Sequence, residues 1–326
     1  MEKIDQIKKL YQEAFGDTKE YVDYVFDKVY TESKIRYEEK DGNIVSVLGI
    51  LPRSFSYAKK SVPGAFISGV VTAESERKKG TMKGLMKRVL REFSAKQCAV
   101  VFLSPKKDVY YISQGFRTIL KANLMEIKPC DKVFKTKVVE NPQEYHFMKV
   151  ESSKDFSVTN LRSNQFCEKL FGSYITDGTQ VKKVYDNEKY LGYFVDDKLG
   201  IFEYTLPVKY LDKVKSVSSK WFVFGEGESF TMARILNPFL LFSDIYCEKD
   251  VDTCFTVVDN FLEREYGVRF LAKNGRLNCL ETDACGQKII VEQLTEWAFG
   301  VTKVDAFKDI CIGQDDLKIS FSDRYL

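Results

Sequence analysis

A single histidine, His146, occurs in 326 residues. That excludes a zinc site built on several imidazoles. A Ser-His-Asp triad would rest on this one residue, which sits in the alternating stretch EYHFMKV and reads as a half-buried strand position. The eight cysteines (98, 130, 167, 247, 254, 279, 285, 311) include no CxxC pair. Their scatter through strand-like and helix-like segments predicts reduced, mostly buried thiols. Cys279 and Cys285 are closest in sequence, and a chain without a leader argues against a disulfide between them. No apolar run exceeds strand size; AVVFL at 99–103 is typical, and a membrane helix needs about 18 to 20 residues. The opening MEKIDQIKKLYQEAF is amphipathic and has no signal-peptide core, so a soluble cytoplasmic protein is expected. Neither charge sign dominates: 50 Lys plus Arg face 47 Asp plus Glu, net +3. Such a balance argues against nucleic acid or an anionic membrane as the main partner.

What is present is an ordinary globular composition, 44% hydrophobic and 30% charged, in a chain long enough for two or three domains. Residues 1–30 predict one or two helices, with Ile4, Ile7, Leu10, Tyr11 and Ala14 on one face. Asp41-Gly42 between two alternating runs signals a hairpin, and KKSVPG is expected to separate two further strands. A helix over about Thr81–Ala95 follows, then the strand AVVFLSP, a short helix from Lys107, and the strand FRTILKANLMEI. Met82, Leu85, Met86, Val89, Leu90 and Phe93 form one apolar stripe on the first of these helices. The order predicts an α+β fold with one crossover. From 129 to about 235 a strand–turn–strand series loosely echoes the first unit, a faint internal duplication without a counterpart of RKKG. From 236 to 326 a third small α+β unit ends in the helix VEQLTEWAF.

The chemistry concentrates at SERKKGTMKGLM, residues 75–86. A helix start leaves about four backbone N–H groups without partners and carries partial positive charge. Acidic residues or a serine cap usually sit there, yet Arg77, Lys78 and Lys79 precede this helix. Charge of the wrong sign calls for an anion, and a phosphate or pyrophosphate fits. Gly80 would let backbone approach it closely. The alternative is a basic turn facing solvent. GxxxxGK[ST] and GxGxxG are both absent.

The segment GVVTAESERKKGTMKGLMKRVLREF, followed by a strand and YYISQGF, resembles the acetyl-CoA-binding core of the GNAT superfamily of N-acetyltransferases. That family has a strand, an Arg/Gln-x-x-Gly-x-Gly/Ala loop, a helix, a strand, and a Tyr four residues before Gly-Phe. Arg77-x-x-Gly80-x-Met82 matches except at its last position. A large apolar residue there is similar to the enhanced-intracellular-survival (Eis-like) branch, and AFGDTKEYVDYVF resembles that branch's N-terminal helices. The resemblance implies three units: a GNAT domain over 1–128, a degenerate GNAT-like domain over 129–235, and a sterol-carrier-protein-like domain over 236–326.

It also implies roles. The backbone of Val70, Val71 and Thr72 would hold the pantetheine arm of acetyl-CoA. Arg77, Lys78, Lys79, Gly80, Thr81 and Met82 would bind its pyrophosphate. Tyr111 would be the general acid that protonates the leaving thiolate, with a packed core aromatic as the alternative. In the Eis-like branch the chain's own C-terminal carboxylate reaches the active site, which makes Leu326 the candidate base. The branch usually ends in an aromatic residue, and a frayed tail is the alternative. Phe15 and Asp17 resemble acceptor-pocket positions; as a residue, Asp17 also reads as a helix N-cap. The expected activity is direct acetyl transfer to a primary amine, on an aminoglycoside-like compound, a polyamine or a lysine, without a metal. A branch member is expected to be an oligomer. The rivals are a non-catalytic CoA- or lipid-binding regulator, and a transferase acting on charged tRNA, against which the even charge balance argues.

Overall fold

The structure is a computed structural model that describes residues 2–31, 34–128, 133–216, 219–308, 310, 312 and 318–320. It opens with α1 (Lys3–Phe15) and α2 (Lys19–Tyr24), the latter running into a π-helical turn, Val25–Val29. Gly16, in the left-handed region, ends α1 by donating its N–H to Gln12 O at 2.8 Å. Strands β1 (Ile35–Lys40), β2 (Asn43–Tyr57) and β3 (Lys60–Thr72) form the predicted antiparallel meander. The first turn is Asp41-Gly42, both at positive φ, as expected.

The second turn lies elsewhere than predicted. Ala58 and Lys59 make it, and most of KKSVPG is already inside β3, where Pro63 stands opposite Ser54. Gly64 marks a close approach: a Cβ there would lie 2.6 Å from the Phe55 ring and 2.8 Å from Val100 O.

Next come α3 (Thr81–Ala95), β4 (Val100–Leu103), the one-turn helix α4 (Val109–Ile112) and β5 (Arg117–Glu126). Leu85, Met86, Val89, Leu90 and Phe93 of α3 are buried against Ile50, Ala65, Ile67, Val101 and Met232, the predicted stripe. Each such side chain contributes about 1.5–3 kcal/mol of transfer free energy.

The middle of the chain supplies β6 (Lys135–Val138), α5 (Pro142–Ser153), β7 (Val158–Leu161), α6 (Asn164–Asp177), β8 (Gln180–Asp186), β9 (Lys189–Asp196), β10 (Ile201–Tyr204), β11 (Lys220–Phe224) and β12 (Glu228–Ile235). His146 therefore lies in a helix, not a strand. Asn141 caps that helix by accepting from Gln143 N at 2.8 Å, and Pro142 suits its first position. Tyr145, Met148 and Lys149 turn inward at helical spacing.

The strands up to β12, joined by β18 (Ile319–Ser320), form one thirteen-stranded sheet in the order β18-β7-β2-β3-β4-β12-β5-β11-β10-β9-β8-β6, with β1 beside β2. The position expected to divide the first two units, residue 128, does not interrupt it. β12 runs antiparallel between β4 and β5, pairing Met232 with Leu103 and Thr118. At the far side β7 pairs with β2, Leu161 opposite Ser54.

Past β12 come α7 (Pro238–Phe242) and a separate sheet in the order β13-β16-β15-β14-β17. Its strands are β13 (Ile245–Tyr246), β14 (Val251–Asp259), β15 (Arg264–Lys273), β16 (Arg276–Thr282) and β17 (Gln287–Ile290), with α8 (Val291–Ala298) after them. Tyr57 of β2 donates to Ala298 O at 2.7 Å and packs edge-on to Phe299, which fastens this unit to the large sheet.

Cys98, Cys167, Cys247 and Cys279 are buried and free, Cys254 and Cys285 more open and also free; Cys130 and Cys311 lie outside the described residues. Among the described residues no helix is long and apolar enough to cross a membrane.

A fragment ending at residue 128 would lose β12 and leave facing edges of β4 and β5 unpaired. It is expected to aggregate, as size-exclusion chromatography would show, whereas a soluble, folded monomer would make β12 dispensable.

Candidate active site

The site begins where two strands part. β3 pairs with β4 only from Gly64 to Ile67, opposite Val100 to Leu103. Beyond Ile67, β3 continues to Thr72 with no strand on that edge among the described residues. On its other edge a bulge interrupts the pairing with β2, because Gly69 and Val70 together stand opposite Leu48. Gly69 has φ +59°, and a Cβ there would come within 2.9 Å of the Tyr11 ring, so glycine is required twice over. The bulge turns this segment of β3 away from β4 and leaves main-chain groups open along the parted edge.

Past β3, Glu74–Glu76 form a short 3-10 turn, and Gly80 at φ +83° leads into α3 without a side-chain cap. The amides of residues 78 to 83 take no hydrogen-bond partner among the described residues. The local charge differs from the sequence argument. Glu76 takes Lys40 and also Lys79 (3.1 Å), and Thr81 Oγ1 donates to it at 3.4 Å. Those two lysines hold its carboxyl below the usual range. Arg77 Nε donates to Thr72 O at 3.2 Å. The turn is therefore partly neutralised, and the feature that invites an anion is the run of free amides.

Where β3 and β4 part, a cavity of about 310 Å³ opens. Phe15, Asp17, Val70 and Tyr111 all line it, drawn from α1, the α1–α2 loop, β3 and α4. Tyr111 is buried, its ring edge-on to Phe116. Its hydroxyl has no hydrogen-bond partner among the described residues. Burial, with Tyr110 nearby, pushes its pKa up to about 12, so it holds its proton at neutral pH. Tyr110, by contrast, is exposed.

Thr18, not Asp17, caps α2, its side chain accepting from Tyr21 N at 3.3 Å. Asp17 is thereby left to face the cavity. Burial raises its pKa and the neighbouring Asp177 carboxylate raises it further, against the pull of Lys198. Asp177, the last residue of α6, is raised by burial too, with Lys198 opposing at 3.9 Å and Asp197 adding.

Val71 turns into the opposite core and its carbonyl accepts from Ser46 Oγ at 3.0 Å, while Thr72 Oγ1 pairs with the same hydroxyl at 2.9 Å. Neither lines the cavity, nor do Arg77 to Met82, which gather at the start of α3. Leu326 lies outside the described residues.

Sequence reasoning missed Asp177 at the end of α6 and Leu199 between β9 and β10, which line the cavity, and Lys106 just past β4. Asp177 stands before Gly178 at a helix end and carries no local signal of a site. A larger cavity of about 600 Å³ lies near the other end of α3, lined by Lys34, Arg36, Arg53 and Lys96 among others, and holds none of the expected site residues.

Folding raises the pKa of both aspartates, so the fold favours their protonated forms. The associated stability is full below the unfolded values and is lost as pH rises through the folded ones. Asp177→Asn is therefore expected to raise the melting temperature at pH 7, with the gain vanishing below about pH 4. A lower melting temperature at pH 7 would mean that the Lys198 pairing outweighs burial.

Residues 1–119 match the acetyltransferase (GNAT) domain family. A search of curated proteins finds no match to the chain. Among solved structures the fold is similar to a probable N-acyltransferase from Enterococcus faecalis V583, with TM-score 0.71 and 14% identity over 96% of this chain and 92% of that one. It is also similar to a GCN5-related N-acetyltransferase from Anabaena variabilis, with TM-score 0.65 and 14% identity over 90% and 86%. Eis1 from Mycobacterium abscessus is similar with TM-score 0.64 and 10% identity over 92% and 87%. The fold is that of these proteins, and an acyltransferase is the enzyme class that the domain match supports.

Proposed function

We propose that the protein is an acetyl-CoA-dependent N-acetyltransferase that moves the acetyl group directly to a primary amine. The observation that carries this is the meeting of Tyr111, with its unpartnered hydroxyl, Val70 on the parted edge of β3, and the Asp17–Asp177 pair around one cavity. In this reading the free amides before and within the first turn of α3 bind the pyrophosphate, with Arg77, Lys78 and Lys79 around it. The backbone of Val70 to Thr72 holds the pantetheine arm and polarises the thioester carbonyl.

The acceptor nitrogen attacks that carbonyl, the C–S bond breaks, and Tyr111 gives its proton to the leaving thiolate. An alkylammonium of pKa about 10 must first lose a proton. Asp17 and Asp177 are the carboxylates beside the cavity, and their negative charge supports a cationic acceptor such as an aminoglycoside-like compound, a polyamine or a lysine. The carboxylate of Leu326, outside the described residues, is the base that family resemblance offers. The three units are 1–128, 129–235 and 236–326, the last sterol-carrier-like, with β12 donated to the first.

Calorimetric titration of acetyl-CoA is expected to give micromolar binding, abolished by Gly80→Glu, whose side chain would bring a carboxylate to the anion's place. Tyr111→Phe should keep that affinity and lose roughly 10²- to 10⁴-fold in turnover. Binding without turnover in the unaltered protein, across an amine panel, would instead favour a CoA-binding regulator. Absence of binding would end the acetyl-CoA reading altogether.

A further inference from the structure

Helix α4, which carries Tyr111, is a single turn, and an isolated turn does not hold itself together. Its geometry has to be imposed from outside. At its closing end Tyr111 O takes the backbone N–H groups of Gln114 and Phe116 at 2.9 and 3.3 Å, and side chains take three of the carbonyls around it. Gln114 Nε2 donates to Tyr110 O at 2.6 Å, Arg117 Nη1 to Ile112 O at 3.1 Å, and Arg234 Nη1 to Gln114 O at 2.7 Å. Cations suit this end, where the helix dipole is negative.

Neither arginine stands alone. Arg234, on β12, donates through Nη2 to Asp259 Oδ1 and Oδ2 at 2.5 and 2.7 Å, and both side chains are fully buried. Arg117, on β5, pairs with Glu296 of α8 at 3.2 Å, where both remain partly exposed. Asp259 and Glu296 both belong to the C-terminal unit. Asp259 is itself fixed by Leu262 N at 3.1 Å and by Arg264 Nε at 3.2 Å, and Arg264 reaches on to Ser94 of α3 at 2.6 Å. Gly115 has its own place here: a Cβ would lie 1.6 Å from Arg234 Nη1, so any side chain would displace the arginine.

We propose that the C-terminal unit positions the catalytic tyrosine through two relays, Asp259–Arg234 and Glu296–Arg117, which grip Gln114 O just past α4 and Ile112 O at its end. The proposal rests on the reading of Tyr111 as the general acid. All four relay residues are positioning residues, since they reach the reacting atoms only through α4. The stake is geometric, because a general acid works within about 2.6–3.2 Å of its partner atom. A misplacement of about 1 Å costs on the order of 10²-fold.

The test is steady-state kinetics of thiol release from acetyl-CoA, with spermidine as acceptor, or kanamycin if spermidine is not acetylated. Arg234→Lys keeps the charge beside Asp259 and shortens the reach to Gln114 O. Glu296→Gln loosens Arg117 at a partly exposed position and, should Arg234→Lys fail to fold, decides the matter alone. Each is expected to lower kcat about ten- to a hundredfold while KM for acetyl-CoA stays within about twofold. In a Tyr111→Phe background the same changes should cost nothing further, because the acid they position is gone.

Equal losses in both backgrounds, or no loss at all in a protein that Tyr111→Phe impairs, would overturn the proposal. Full turnover in Tyr111→Phe itself would remove the general-acid reading and the relays with it. That failure is visible in the single variant, before any relay residue is changed.

Discussion

A gap one strand wide separates β4 from β5, and filling it is the constraint on which the rest depends. Both strands carry main-chain groups that need partners, and both are held by loops that place the helices of the site. β12 enters from more than a hundred residues downstream and satisfies both edges. The same strand carries Arg234, so sheet completion and the seating of α4 rest on one segment. Loop closure over that distance costs entropy that grows only slowly with length. The return is a sheet with no internal edge at its centre, plus a buried pair, Arg234–Asp259, in which burial lowers the arginine's pKa against the opposing pull of the carboxylate. Losing either partner of such a pair typically costs about 3–5 kcal/mol, because the other charge is then stranded.

Local patterning explains what the sequence made legible. The stripe on α3 repeats at helical spacing, and Asp41-Gly42 suits a two-residue turn by backbone conformation alone. Where two local signals compete, the stronger one decides and the other misleads. Pro63-Gly64 looks like a turn, yet its glycine is needed for the approach of Phe55 and Val100, and the turn formed at Ala58-Lys59 instead. EYHFMKV alternates like a strand, but Asn141-Pro142 just upstream is a helix start and overrides it. β12 could not be assigned to its neighbours from sequence, because strand pairing at long separation leaves no periodic trace in either partner.

The same distinction holds at the site. Tyr111, Val70, Phe15 and Asp17 lie in segments whose order along the chain carries the resemblance, and they line one cavity. Asp177 arrives from α6, and only the way β7 joins β2 brings that helix alongside α2. Its effect on Asp17 is electrostatic and depends wholly on three-dimensional placement. Burial raises both carboxylates, and Asp177 raises Asp17 further, so the ionised fold is destabilised, a cost more readily understood at a site that receives a cation than at a purely structural junction.

The basic turn before α3 needs a different account from the one charge alone supplies. Glu76, three residues after Ala73 at the close of β3, already meets Lys40 and Lys79, so three consecutive cations do not face an empty field. What no protein group among the described residues satisfies is the run of amides from 78 to 83, which the left-handed Gly80 turns into the helix axis. Water can serve these donors, and so can an anion. The dipole favours the anion, and the parted edge of β3 leads from this point to Tyr111. Helix α3 therefore links two requirements. Its first turn offers the amides, and its last turn, through Ser94 and Arg264, touches the Asp259 network that also fixes α4. The proposed cofactor site and the proposed acid are thus held to one another by a rigid element whose far end is tied to the C-terminal unit.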